Sequence, residues 1–233
     1  MAMKSQTKRM LVVALLITAF LFLSLFLLSS LFDQRRQSFL DSETQKMYNS
    51  LNEMQTFMLM SETYGNEMAC LAFDAKLKEL DTSVWDLGRK IDQYRVASEE
   101  FTKDPYYLEQ KKVFNENEVF YMMLLQKVKQ TCGFKQVVIA FFYQNSEDCK
   151  KCDDQSFVLT DINDEIDDEV SIFSYDADLN LTSVNLLKTY YKIDQYPCII
   201  INDRAYCGMF DKKFVMEKIC EAEPTISACI TAS

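Results

Sequence analysis

The chain has no histidine at all, and among its 233 residues only three prolines and four glycines. Without histidine the commonest general base and the commonest zinc ligand are gone, so Ser-His, Cys-His and His-metal mechanisms are excluded. Scarce proline and glycine leave little flexible linker, and a 48% hydrophobic composition is enough for one or two domains with real cores. A basic surplus is also missing. The net charge of −10 argues against nucleic acid and gives no support for binding an anionic membrane surface. Chemistry here has to rest on cysteine, carboxylate, lysine or tyrosine.

One long apolar run is present. Met10 to Phe32 holds no charge over 23 residues, roughly 34 Å as a helix, enough to cross a bilayer with some tilt. The rival is a cleaved secretory signal, but the run exceeds a typical signal core and no small-residue cleavage site follows it. Lys4, Lys8 and Arg9 before the span nearly match Arg35, Arg36 and Lys46 after it, so charge barely orients it. Eight cysteines in a chain whose bulk follows the span fit an oxidising compartment. The sequon Asn180-Leu181-Thr182, with Asn180 as glycosylation candidate, points the same way. The expected layout is a cytoplasmic tail over 1–9, a single-pass transmembrane helix over 10–32, and the rest extracytoplasmic.

From residue 33 to 132 the pattern is helical and implies a hairpin or bundle stalk. Leu40, Met47, Leu51, Met54 and Met58 form one stripe that stops near Tyr64. Phe73, Leu77, Leu80, Val84, Leu87, Ile91 and Tyr94 alternate spacings of four and three, the seam of coiled-coil packing. Asp104-Pro105 supplies an N-cap and a first-turn proline for a third helix to about Thr131. Folding the last two helices back about residue 103 sets Cys70, 33 residues before it, beside Cys132, 29 after it. A disulfide there is expected, with two buried free thiols as the alternative. An intramolecular bundle is preferred to a homodimeric coiled coil because the connections are short.

Past Gly133 the period changes. Gln136 to Tyr143 reads as a strand buried on both faces. Then come Cys149-Lys150-Lys151-Cys152, an amphipathic helix with Phe157, Val158 and Ile162, a strand over 169–177 and a helix over 181–193. A hairpin turns over Asn202-Asp203 and a helix closes the order β-α-β-α-β-β-α. This implies an α/β domain over 133–222, a mixed central sheet flanked by helices, with a tail over 223–233. With Asn202-Asp203 as a two-residue turn, Cys198 and Cys207 face each other; Cys220 and Cys229 are near enough in sequence to pin the tail.

A strand leading into Cys149-Lys150-Lys151-Cys152 at a helix start, with Tyr196-Pro197 some 44 residues on, resembles the thioredoxin superfamily. The layout is similar to membrane-anchored thioredoxin-like proteins of archaeal type. The resemblance implies a cis Tyr196-Pro197 loop that offers backbone to an extended substrate. A cysteine at a helix N-terminus is held towards thiolate, which makes Cys149 the expected nucleophile and the more covered Cys152 the resolving thiol. Lys150 and Lys151 favour that thiolate; Glu147, Asp148, Asp153 and Asp154 oppose it.

Three departures stand out: Asp148 in place of the usual tryptophan, Ala140 in place of a buried acid, and Cys198 after the proline in place of threonine. They tilt away from general reductase activity, towards an oxidase, an isomerase or a specialised substrate. The resemblance therefore implies a thiol–disulfide oxidoreductase acting on exported proteins with thiols or disulfides, working with a membrane or soluble redox partner and needing no cofactor. The alternatives are a permanent Cys149–Cys152 staple in a binding module and an accessory subunit of a membrane complex. A zinc site at Cys149, Cys152, Cys198 and Cys207 is disfavoured by the spacing of the second pair, and the acidic run 161–169 lacks calcium-loop register, so no metal is expected.

Overall fold

The computed structural model describes residues 2–97, 103–145, 148–166 and 169–230. The chain divides into two compact units, Met1–Glu43 and Thr44–Ser233. Helix α1 runs from Ala2 to Tyr64 and contains the apolar run, with a window of mean hydropathy 3.0, none of it buried. It is long and apolar enough to cross a membrane. The helix stops at Gly65, whose φ of +95° is the left-handed conformation glycine adopts without a steric penalty.

In the second unit α2 (Asn66–Ala97) and α3 (Pro105–Cys132) fold back on each other. The expected seam of α2 is buried from Phe73 to Ile91, whereas the side chain of Tyr94 lies outside the described residues. Asp104 caps α3 by accepting from the Tyr106 N–H at 3.0 Å, and Gly133, at φ +72°, closes its far end with a bond to the Lys129 carbonyl. At Gly88 the helices come close: a Cβ there would lie 3.0 Å from the Phe114 ring. A disulfide joins Cys70 to Cys132 with Cα atoms 5.5 Å apart, as an antiparallel hairpin requires.

Next follow β1 (Val137–Tyr143), α4 (Cys152–Ile166), β2 (Val170–Asp176), a 3-10 turn, α5 (Thr182–Tyr191), β3 (Cys198–Ile201), β4 (Arg204–Cys207) and α6 (Lys212–Ala222). A short α7 (Ser227–Ile230) falls in what the sequence suggests is a tail. The four strands form one mixed sheet, ordered β2-β1-β3-β4. β2 runs parallel to β1, while β3 is antiparallel to both β1 and β4. The hairpin register is the expected one, Cys198 opposite Cys207, with Asn202 and Asp203 both at positive φ as a two-residue turn demands.

One face of the sheet, with Ile139, Phe141, Ile172 and Ile199, packs on Leu159 and Ile162 of α4 and on Val215 and Ile219 of α6. The other meets α3, where Tyr121 lies edge-on to Phe173 at 5.3 Å and Tyr175 donates to the Met122 sulfur. The chain is thus mostly helical, with a small mixed sheet and one long apolar N-terminal helix. One sequence reading is corrected. Phe157 is 73% exposed, whereas Val158 is half-buried and packs against the core; the fully buried face of α4 is Cys152, Gln155, Leu159, Ile162, Asn163 and Ile166. The Phe157 position lies on the wrong side of the 3.6-residue period set by Leu159 and Ile162.

Candidate functional site

The eight cysteines form four disulfides: Cys70–Cys132, Cys149–Cys152, Cys198–Cys207 and Cys220–Cys229. Cys149 lies between β1 and α4 and Cys152 opens α4; they are 5% and 2% exposed. The helix begins at Cys152, three residues later than expected. Cys149 sits in the preceding turn: its N–H donates to the Asn145 carbonyl at 2.9 Å, and its own carbonyl accepts from the Cys152 N–H at 3.1 Å. Both cysteines are covered, so the expected contrast between an open nucleophile and a buried resolving thiol does not hold in the disulfide form. The disulfide ties the turn to the helix.

Asp148, Lys150 and Lys151 are exposed around this turn, and Glu147 lies outside the described residues. The Tyr196-Pro197 bond is cis, Pro197 is buried, and Lys188 Nζ lies 5.6 Å from the Tyr196 ring centre. Cys198, next after Pro197, pairs with Phe142 near the end of β1, so Pro197 and the Cys149 turn share one end of the sheet. Ala140 lines the α3 and α5 side with Met122 and Tyr191, opposite the face on which α4 packs. A carboxylate at 140 would point away from α4. Asn180 is exposed in the left-handed conformation, with its carbonyl oxygen held by the Asn185 amide at 2.7 Å.

A set of groups not flagged by sequence lies on α3. Lys111, Asn115 and Glu118 are buried at spacings of four and three, one face of a helix. They face β2, an edge strand. Asn115 accepts from the Asp176 N–H at 2.9 Å and donates to the Ser174 carbonyl, while Glu118 accepts from the Ser174 N–H at 3.1 Å. Lys111 pairs with Asp176 beside the rings of Tyr107 and Tyr143. On α2, Asp81 accepts from Ser171 further down the same strand. Side chains thus do for β2 what a fifth strand would do, satisfying an edge that would otherwise be open.

Burial works against the Lys111 charge, yet the facing Tyr143 and Asp176 outweigh it and hold the ammonium above its ordinary range. Burial pushes the Glu118 carboxyl well up, against the Ser174 and Asn115 hydrogen bonds and Lys111. The network continues towards the cysteines. Asp176 accepts from the Asp178 N–H, and Asp178 accepts from the Asn145 N–H at 2.8 Å and its amide at 2.7 Å. Asn145 is the residue whose carbonyl holds Cys149.

A cavity of about 360 Å³ lies between this network and α4, walled by Trp85, Phe114, Phe141 and Tyr143, with Cys152 in its lining and Phe157 at the rim. The clue available in sequence was three polar residues at helical spacing among the aromatics of α3.

No family model matches the chain, and no curated protein matches it. A solved structure titled "Structure of a malarial protein" aligns over 37% of this chain and 97% of its own, at 15% identity and a TM-score of 0.32.

Proposed function

We propose that the chain is a membrane-anchored thiol–disulfide oxidoreductase with a thioredoxin-like domain, active outside the cytoplasm on proteins that carry thiols or disulfides. The observation that carries this reading is the closed Cys149–Cys152 pair between β1 and α4, at the same end of the sheet as the cis Tyr196-Pro197 bond. The chemistry balances without a cofactor. A substrate thiolate attacks Cys149 Sγ, a mixed disulfide forms, and Cys152 leaves as thiolate. The substrate's second thiol then displaces Cys149, leaving an oxidised substrate and a reduced pair. The same steps reversed reduce a substrate disulfide. Tyr196 and Pro197 present backbone beside the pair, and the exposed Lys150 and Lys151 draw electron-rich sulfur to it.

In an insulin-reduction or dithiol-oxidation assay, Cys149→Ser abolishes turnover and Cys152→Ser accumulates mixed disulfides. Turnover that survives both substitutions sinks the reading.

The burial of both cysteines favours a second reading, in which the pair is a permanent staple and the domain an accessory subunit of a membrane complex. Stoichiometric co-purification with a larger membrane protein, together with a pair that glutathione leaves oxidised, distinguishes it.

A further inference from the structure

Gln155 is fully buried, on the inward face of α4. Its carbonyl oxygen accepts from the Phe210 N–H at 2.8 Å, so turning the amide over would set donor against donor. That fixes Nε2 as the other group, and Nε2 has no hydrogen-bond partner among the described residues. A buried donor with nothing to bind is costly, and such groups in folded proteins call for an explanation.

The position suggests one. Gln155 follows Cys152 by three residues, the spacing that brings side chains together on a helix, and helical side chains lean towards the N-terminal turn. Cys152 and Gln155 thus occupy neighbouring positions on the buried face of α4. In the disulfide form the Cys152 sulfur is bonded to Cys149 and the amide stays unpaired.

We propose that Gln155 is a positioning residue for the pair, its Nε2 donating to the Cys152 sulfur once the disulfide opens, so that the reduced form gains a hydrogen bond the oxidised form lacks. This deepens the redox reading of Cys149 and Cys152 and rests on it. Reduction breaks the Cys149–Cys152 bond while two glutathione thiols give up two electrons and two protons and become glutathione disulfide. A donor that serves only the reduced state pulls this equilibrium towards the dithiol.

The test equilibrates the full-length chain with glutathione and its disulfide, and reads the fraction of reduced Cys149–Cys152 by alkylation and peptide mass analysis. Gln155→Met removes the donor and keeps the length of the side chain. Its loss of the Phe210 bond is common to both redox states and cancels. The equilibrium should move about tenfold towards disulfide, equivalent to about 30 mV for a two-electron couple. Gln155→Leu, which offers no donor at this position either, should move it the same way.

A structural role alone would lower stability in both redox states and leave the equilibrium in place. An equilibrium unchanged within twofold, or moved towards dithiol, overturns the inference. If neither variant folds, the wild-type chain still decides. On reduction, the Gln155 side-chain amide resonances should shift and exchange more slowly with solvent, and unchanged resonances overturn the inference. A wild-type pair that glutathione leaves wholly oxidised removes the redox reading instead, and the Gln155 shift is then read with dithiothreitol.

Discussion

At the scale of single residues the buried charges dominate. Asp176 is the counterion of Lys111, and both are almost completely covered. Asp176→Asn leaves an ammonium in the interior without its partner, a loss of about 3–5 kcal/mol for a buried pair. Urea unfolding at neutral pH measures it. With its folded pKa raised, Lys111 contributes stability in full below about pH 10.4, and that contribution is lost as pH rises through the folded value. Glu118 has the opposite effect at physiological pH. Burial raises its carboxyl, so above about pH 4.3 the folded chain holds a proton that the unfolded chain has released. Stability then falls as pH rises towards the folded value, with a slope approaching about 1.4 kcal/mol per pH unit. Glu118→Gln should flatten this fall in urea midpoints taken between pH 5 and 7. It also carries a fixed cost, since one amide oxygen replaces two acceptors for Ser174 and Asn115.

At the scale of elements the α2–α3 hairpin is the part most dependent on a covalent tie. Cys70 and Cys132 close 62 residues of sequence separation, for which the chain-entropy model gives about 4 kcal/mol. A Cys70→Ser/Cys132→Ser chain should lose stability of that order in denaturant titration, and α2 amides should exchange faster. This hairpin was legible in sequence because its information is local: a spacing of three and four along α2, a cap at Asp104, a stop at Gly133. The β3–β4 pairing was legible for the same reason, a two-residue turn fixing which residues face each other.

What the hairpin covers was not legible. That Asn115 and Glu118 lie along β2 depends on which sheet edge receives α3, and no short-range pattern records that choice. The sequence alone sets the start of α4 three residues early for a related reason. The turn before it is held by Asn145, which is anchored in turn by Asp178 from beyond β2. The cysteine spacing was readable from the residues; the scaffold that buries both sulfurs was not.

At the scale of the whole molecule, α1 carries a highly apolar segment and the disulfide-linked unit follows it in sequence. If residues 10–32 span a bilayer, the full chain should stay in the membrane pellet through alkaline carbonate extraction, and a chain lacking them should appear in the supernatant. Release of the full chain by carbonate would reject the anchor.

The tie between Cys70 and Cys132 also sets the path along which a pull on the chain would travel. Tension applied between α1 and the sheet crosses from Cys70 directly to Cys132 and leaves the residues between them slack. With the bond intact the hairpin adds nothing to the length of the stretched chain. Once it is reduced, those residues become extensible and add roughly 200 Å of contour. The reach of the domain from its N-terminal helix under load is therefore governed by the oxidation state of one bond.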